Sequence, residues 1–84
     1  MMFNNNDDIK EFALNLVKTL EKLGEKAHAD DLKAWSGEFF TTSSEFLGEL
    51  KLILERISNL KLLDDITKKN VNECIRAINK AFDI

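Results

Sequence analysis

Residues 42–57 read TSSEFLGELKLILERI, and this stretch decides the fold. Thr42 and Glu45 have the spacing of a capping box, in which a hydroxyl and a carboxylate three residues apart satisfy backbone amides that a helix start leaves without partners. The apolar residues that follow, Phe46, Leu47, Leu50, Ile53, Leu54 and Ile57, recur at three and four residues. That period places them on one side of a helix and excludes a strand, whose side chains would alternate every second residue.

The same period recurs on both sides of this segment. Upstream, Ile9, Phe12, Ala13, Leu16, Val17, Leu20 and Leu23 form a stripe that Asp8 can open as an N-cap, with Glu11 three residues on, and that Gly24 can close. A shorter helix is expected over residues 25–36, with His28, Leu32 and Trp35 on one side and Gly37 as the break. Downstream, Thr67 can cap a last helix, with Ile66 and Val71 as a hydrophobic staple. Its stripe is Val71, Cys74, Ile75, Ile78, Ala81 and Phe82.

Proline is absent and glycine occurs three times in 84 residues, so the turn chemistry of β-hairpins is missing. Four stripes with short connections predict an all-α chain: one domain over residues 1–84, built as an antiparallel four-helix bundle with a short second helix.

Composition bounds the function. Hydrophobic residues at 44% and charged residues at 32% describe a chain that folds rather than a disordered one. A lone cysteine, Cys74, cannot close an internal disulfide, which points to a reducing compartment, and the cytoplasm is the expected location. No membrane-spanning run is present in the sequence, and residues 1–8 lack the basic start and apolar centre of a signal peptide.

Net charge is −3, which disfavours a general polyanion binder, so nucleic acid is an unfavoured partner. The charge is uneven: residues 1–49 carry ten acids against five lysines, a balance of −5, and residues 50–84 carry five acids against seven basic residues, a balance of +2.

Enzyme chemistry finds little support. One histidine, one cysteine and no tyrosine leave few ways to join a nucleophile, a base and an orienting acid, and no catalytic residue is assigned. His28 precedes Asp31 by one helical turn, and a boundary histidine is the favoured reading. Two residues of the His and Cys type fall short of the four that a closed zinc site takes, so no metal or cofactor is expected. The acid pairs Asp7–Asp8, Asp30–Asp31 and Asp64–Asp65 lie near helix starts, where capping is their expected work. The rows Lys18, Lys22, Lys26 and Lys69, Arg76, Lys80 read as solvated faces.

The segment from Trp35 to Leu50 stands apart. It holds Trp35, Phe39, Phe40 and Phe46, four of the seven aromatic residues, together with Glu38, Glu45 and Glu49, and contains no Lys or Arg. Aromatic anchors beside carboxylates are the composition of a surface that receives a basic protein partner. On the third helix Gly48 lies about 160° from the centre of the apolar stripe, where glycine costs roughly 1 kcal/mol against alanine, and Leu52 lies one turn further along. The expected contact residues are therefore Trp35, Glu38, Phe39, Phe40, Glu45, Gly48, Glu49 and Leu52.

The stretch TSSEFLGEL, residues 42–50, resembles a segment of small bacterial all-helical proteins of immunity and antitoxin type, in which a helix opening Glu-[Ile/Phe]-Leu follows a short serine and threonine turn. The likeness extends loosely over residues 20–82. It implies an inhibitor of a partner protein that acts by occlusion. Size and acidity are also similar to the colicin nuclease immunity proteins, whose tyrosine pair and proline have no counterpart here, so no binding residue is carried over. Two other readings are weighed beside this one: a small DNA-binding or regulatory domain using Lys61, Lys68, Lys69, Arg76 and Lys80, and a homo-oligomeric module, such as a homodimer, in which Gly48 and Leu52 meet across a two-fold axis.

Overall fold

The structure, a computed structural model, describes residues 3–82, and at Phe82 the backbone alone. The chain is all-α, with helices α1 (Asn6–Lys22), α2 (Lys26–Gly37), α3 (Ser43–Ser58) and α4 (Asp65–Phe82). No strand occurs among the described residues. Each helix packs on its neighbour in the chain, α1 on α2 and α3 on α4, so two compact helical pairs form, one in residues 3–39 and one in residues 40–82. As expected, α2 is the shortest of the four.

In the first pair, α1 buries Ile9, Phe12, Ala13, Leu16, Val17 and Leu20, the stripe read from the sequence except for Leu23, which is the half-buried C-cap. Its start differs. Asn5, with extended backbone, is the N-cap, and its side-chain oxygen accepts from the Asp8 amide at 2.9 Å. Asp8 is thus the third residue of the helix, and its own carboxylate accepts from the Asn4 amide at 3.0 Å. Asparagine caps at least as well as aspartate, and beginning three residues earlier extends the hydrogen-bonded ladder. Phe3 closes this end with its ring edge-on to Phe12, centroids 5.5 Å apart.

Gly24 ends α1 as expected. At φ 80° it adopts the left-handed conformation, the Glu25 amide donates to the Leu20 carbonyl at 2.9 Å, and the Gly24 amide donates to that of Glu21 at 3.2 Å. This is the Schellman arrangement, which satisfies carbonyls that a helix end leaves open. The chain turns back within residues 23–25, and α2 buries Ala29, Leu32 and Trp35. His28, expected on that side, is half-buried. Gly37, expected to break the helix, is instead its last residue, and the break falls at Glu38, whose backbone is extended. Lys33 Nζ donates to Glu21 Oε2 at 2.6 Å and joins the two helices at the surface. That bond, and then the charge of Glu21, raises the Lys33 pKa.

In the second pair, α3 buries Leu47, Leu50, Ile53, Leu54 and Ile57, as its pattern predicts, with Phe46 half-buried. Leu63 in the connection is buried as well, and α4 contributes Val71, Cys74 and Ile78. Ile75 is half-buried and Ala81 exposed; the expected stripe position of the Phe82 side chain lies outside the described residues. The expected Thr67 cap is corrected by the structure. Asp64 caps α4, accepting from the Thr67 amide at 2.6 Å, and Thr67 lies inside the helix. This earlier start puts Ile66 in the first turn, where it is 76% exposed, so no staple with Val71 forms.

Candidate functional site

The first turn of α3 is held from three directions. The Thr42 hydroxyl accepts from the Glu45 amide at 3.2 Å, the first half of the expected capping box. The Glu45 carboxylate does not complete the box in the usual way: its Oε2 accepts from the Thr41 hydroxyl at 3.1 Å. Phe40 lies edge-on to Phe46, with centroids 5.6 Å apart and ring planes at 80°. The pair works like a hydrophobic staple displaced by one residue, fixing the direction in which the chain enters the helix.

These contacts separate the aromatic residues of the segment into different roles. Trp35 is 2% exposed and belongs to the buried face of α2. Phe40 and Phe46 are half-buried against one another. Phe39 follows the extended C-cap Glu38 past the end of α2 and is 91% exposed. The structure also divides the expected contact residues between the helical pairs: Trp35, Glu38 and Phe39 lie in the first, and Phe40, Glu45, Gly48, Glu49 and Leu52 in the second.

Within the second pair, α3 brings four of them onto one line. Residues 45, 48, 49 and 52 are spaced as neighbours on the surface of a helix. Glu45 and Glu49 are exposed, and Leu52 is 51% exposed, high for an aliphatic side chain in mid-helix. A Cβ placed on Gly48 would meet nothing within 4 Å. No side chain or backbone among the described residues thus requires glycine there, and its φ is not positive. Arg56, also exposed, continues the line one turn beyond Leu52.

Other candidate groups are placed as follows. Cys74 is a free, buried thiol whose pKa is pushed up to about 12 by burial, which suppresses the nucleophilic thiolate. His28 Nδ1 is buried and has no hydrogen-bond partner among the described residues. No three His, Cys, Asp or Glu residues among those described come together as a metal site. Among the described residues no helix is long and apolar enough to cross a membrane. On α4, Lys69, Arg76 and Lys80 are exposed, and half-buried Glu73 interrupts them.

Three exposed apolar residues stand outside the expected contact surface, Leu14 at 46%, Leu62 at 65% and Ile66 at 76%. The exposure of Ile66 follows from Asp64 being the cap, which puts Ile66 in the first turn of α4, whereas Leu63 beside the cap is buried. Comparison of the chain with protein-family models, with curated proteins and with solved structures gives no match.

Proposed function

We propose that this chain is a non-enzymatic protein-binding module, a bacterial immunity-type inhibitor acting in the cytoplasm, and that the outer face of α3 is where it docks a basic partner protein. The observation that carries this reading is the pairing of Gly48 and Leu52. A mid-helix glycine without any packing reason in its own chain, one turn from a half-exposed leucine, makes a shallow seat with an apolar edge. Glu45 and Glu49 border that seat and supply charge that steers a basic surface into place.

Inhibition would work by occlusion, the partner's own basic patch being covered. Phe39 is a separate candidate anchor, because a fully presented aromatic ring contributes large apolar area at low entropy cost. The free, buried thiol of Cys74 suits a reducing compartment.

The test is affinity capture from the native host with the wild-type chain and with Glu45→Lys/Glu49→Lys. The expected result is one basic protein that elutes with moderate salt and is lost with the double variant. Equal capture by both chains would overturn the assignment to α3. Phe39→Ser, assayed alone, separates the contribution of the aromatic ring from that of the helix.

A further inference from the structure

We infer that the outer face of α3 is self-complementary, and that a second copy of this chain, running antiparallel, is an occupant of it. The inference rests on the reading of that face as a docking surface and names a partner for it. At about 100° per residue, the buried set Leu47, Leu50, Ile53, Leu54 and Ile57 defines one side of α3, and Gly48 and Leu52 straddle the line opposite its centre, about 20° to either side. Glu45, Arg56 and Glu49 all lie on the shoulder next to Leu52, roughly 40° to 80° from that line.

A knob on one helix seats in a hole framed by residues i, i+3, i+4 and i+7 of another. On α3 that frame is Glu45, Gly48, Glu49 and Leu52, and the missing side chain of Gly48 opens it. Seating Leu52 of the second copy in this frame puts it between Gly48 and Glu49 and places the two-fold axis beside Leu50. Arg56 of the second copy then falls opposite Glu45, within about one residue rise of 1.5 Å along the helix.

The two-fold axis of an antiparallel pair maps each shoulder onto itself, so Glu45 and Arg56 meet on the same side and form two equivalent ion pairs. A parallel pair would instead carry the two shoulders to opposite sides of the interface, with Glu45 level with Glu45 and no Glu45–Arg56 ion pair formed. Charge thus selects the antiparallel arrangement. One contact opposes it: the two Glu49 carboxylates lie near the axis, a like-charge approach that weakens association. Glu49 therefore answers differently in the two uses of the face, helping to capture a basic protein and hindering self-association.

Sedimentation equilibrium of the full chain at low salt tests this. The mass is expected to rise with concentration from 9.6 kDa towards twice that value. Arg56→Glu and Glu45→Arg should each weaken association about tenfold or more, and the double variant Glu45→Arg/Arg56→Glu should restore it. Glu49→Gln should tighten it. Restoration cannot come from helix stability, because losing the carboxylate in the first turn of α3 weakens the helix in the double variant as well; circular dichroism checks that all variants are folded.

A chain that stays at 9.6 kDa up to millimolar concentration would overturn the inference while leaving capture of a basic protein to stand or fall on Glu45→Lys/Glu49→Lys. A double variant that fails to restore association, or a Glu49→Gln variant that weakens it, would overturn the antiparallel register.

Discussion

The carboxylate of Asp64 lies 2.6 Å from the amide nitrogen of Thr67, and this bond sets where α4 begins. The amide, and then the hydroxyl, of Thr67 hold the Asp64 carboxyl below its ordinary pKa of 3.8. A depressed carboxyl stabilises the fold wherever it is ionised, so the contribution is fully present above pH 3.8 and is lost as pH falls below that value through the folded-state pKa. Wild-type urea midpoints should drop over that acid range. Asp64→Asn keeps a capping oxygen and should flatten this part of the profile, whereas Asp64→Ala should lower the midpoint already at pH 7.

Thr42 does the corresponding work for α3, without charge. Thr42→Ala should cost about 1 kcal/mol in denaturant unfolding, and Thr42→Asp should be close to neutral. The same loss at Thr41, whose hydroxyl reaches only the exposed Glu45 carboxylate, should be smaller.

Gly24 and Gly48 should respond to alanine with opposite signs. Gly24 has φ 80°, so Gly24→Ala forces a side chain into the left-handed region and should destabilise the chain by about 1 kcal/mol. Gly48 is ordinary helix with open space around it, so Gly48→Ala should stabilise by roughly 0.5 to 1 kcal/mol. If that face docks a partner, the same change should weaken docking, and a parallel measurement of thermal midpoint and binding would show stability and association moving apart.

Leu54 is fully buried, and Leu54→Ala should cost about 2 to 5 kcal/mol, a large share of what a chain of 84 residues has. Leu62→Ser and Ile66→Ser, at 65% and 76% exposure, should stay within about 0.5 kcal/mol of wild type. Equilibrium unfolding in urea distinguishes the two outcomes directly.

Cys74 should resist alkylation in the folded chain. Its thiol is buried and its pKa raised to about 12, so reagent has neither access nor thiolate to attack. Labelling with iodoacetamide should proceed at the rate of local opening and accelerate sharply at the denaturation midpoint.

The helices were legible wherever the deciding interactions are local. In α3 the Thr42 cap and the apolar stripe are written in adjacent residues and the structure reproduces both, while Glu45 turns to Thr41 instead of closing the capping box. The starts of α1 and α4 were harder, because Asn5 competes with Asp8 and Asp64 competes with Thr67. Every one of these side chains can cap, and the earlier one wins by adding hydrogen bonds to the ladder. The aromatic residues were least legible. Trp35 and Phe39 are four residues apart and chemically alike, yet one is 2% exposed and the other 91%. What separates them is the end of α2 at Gly37, which leaves Trp35 on the buried face with Ala29 and Leu32 and carries Phe39 past it. The outer face of α3 could be read earlier because a helix wheel needs only the angle between residues.

The pairing of each helix with its immediate neighbour bears on how fast the native contacts can be found. Only residues 23–25 separate α1 from α2, and residues 59–64 separate α3 from α4, so the closing of each pair sacrifices little chain entropy. Contacts this local place the chain among fast folders, with relaxation on the microsecond to millisecond scale in a temperature-jump experiment. Each hairpin of helices is a search the chain can complete within its own neighbourhood.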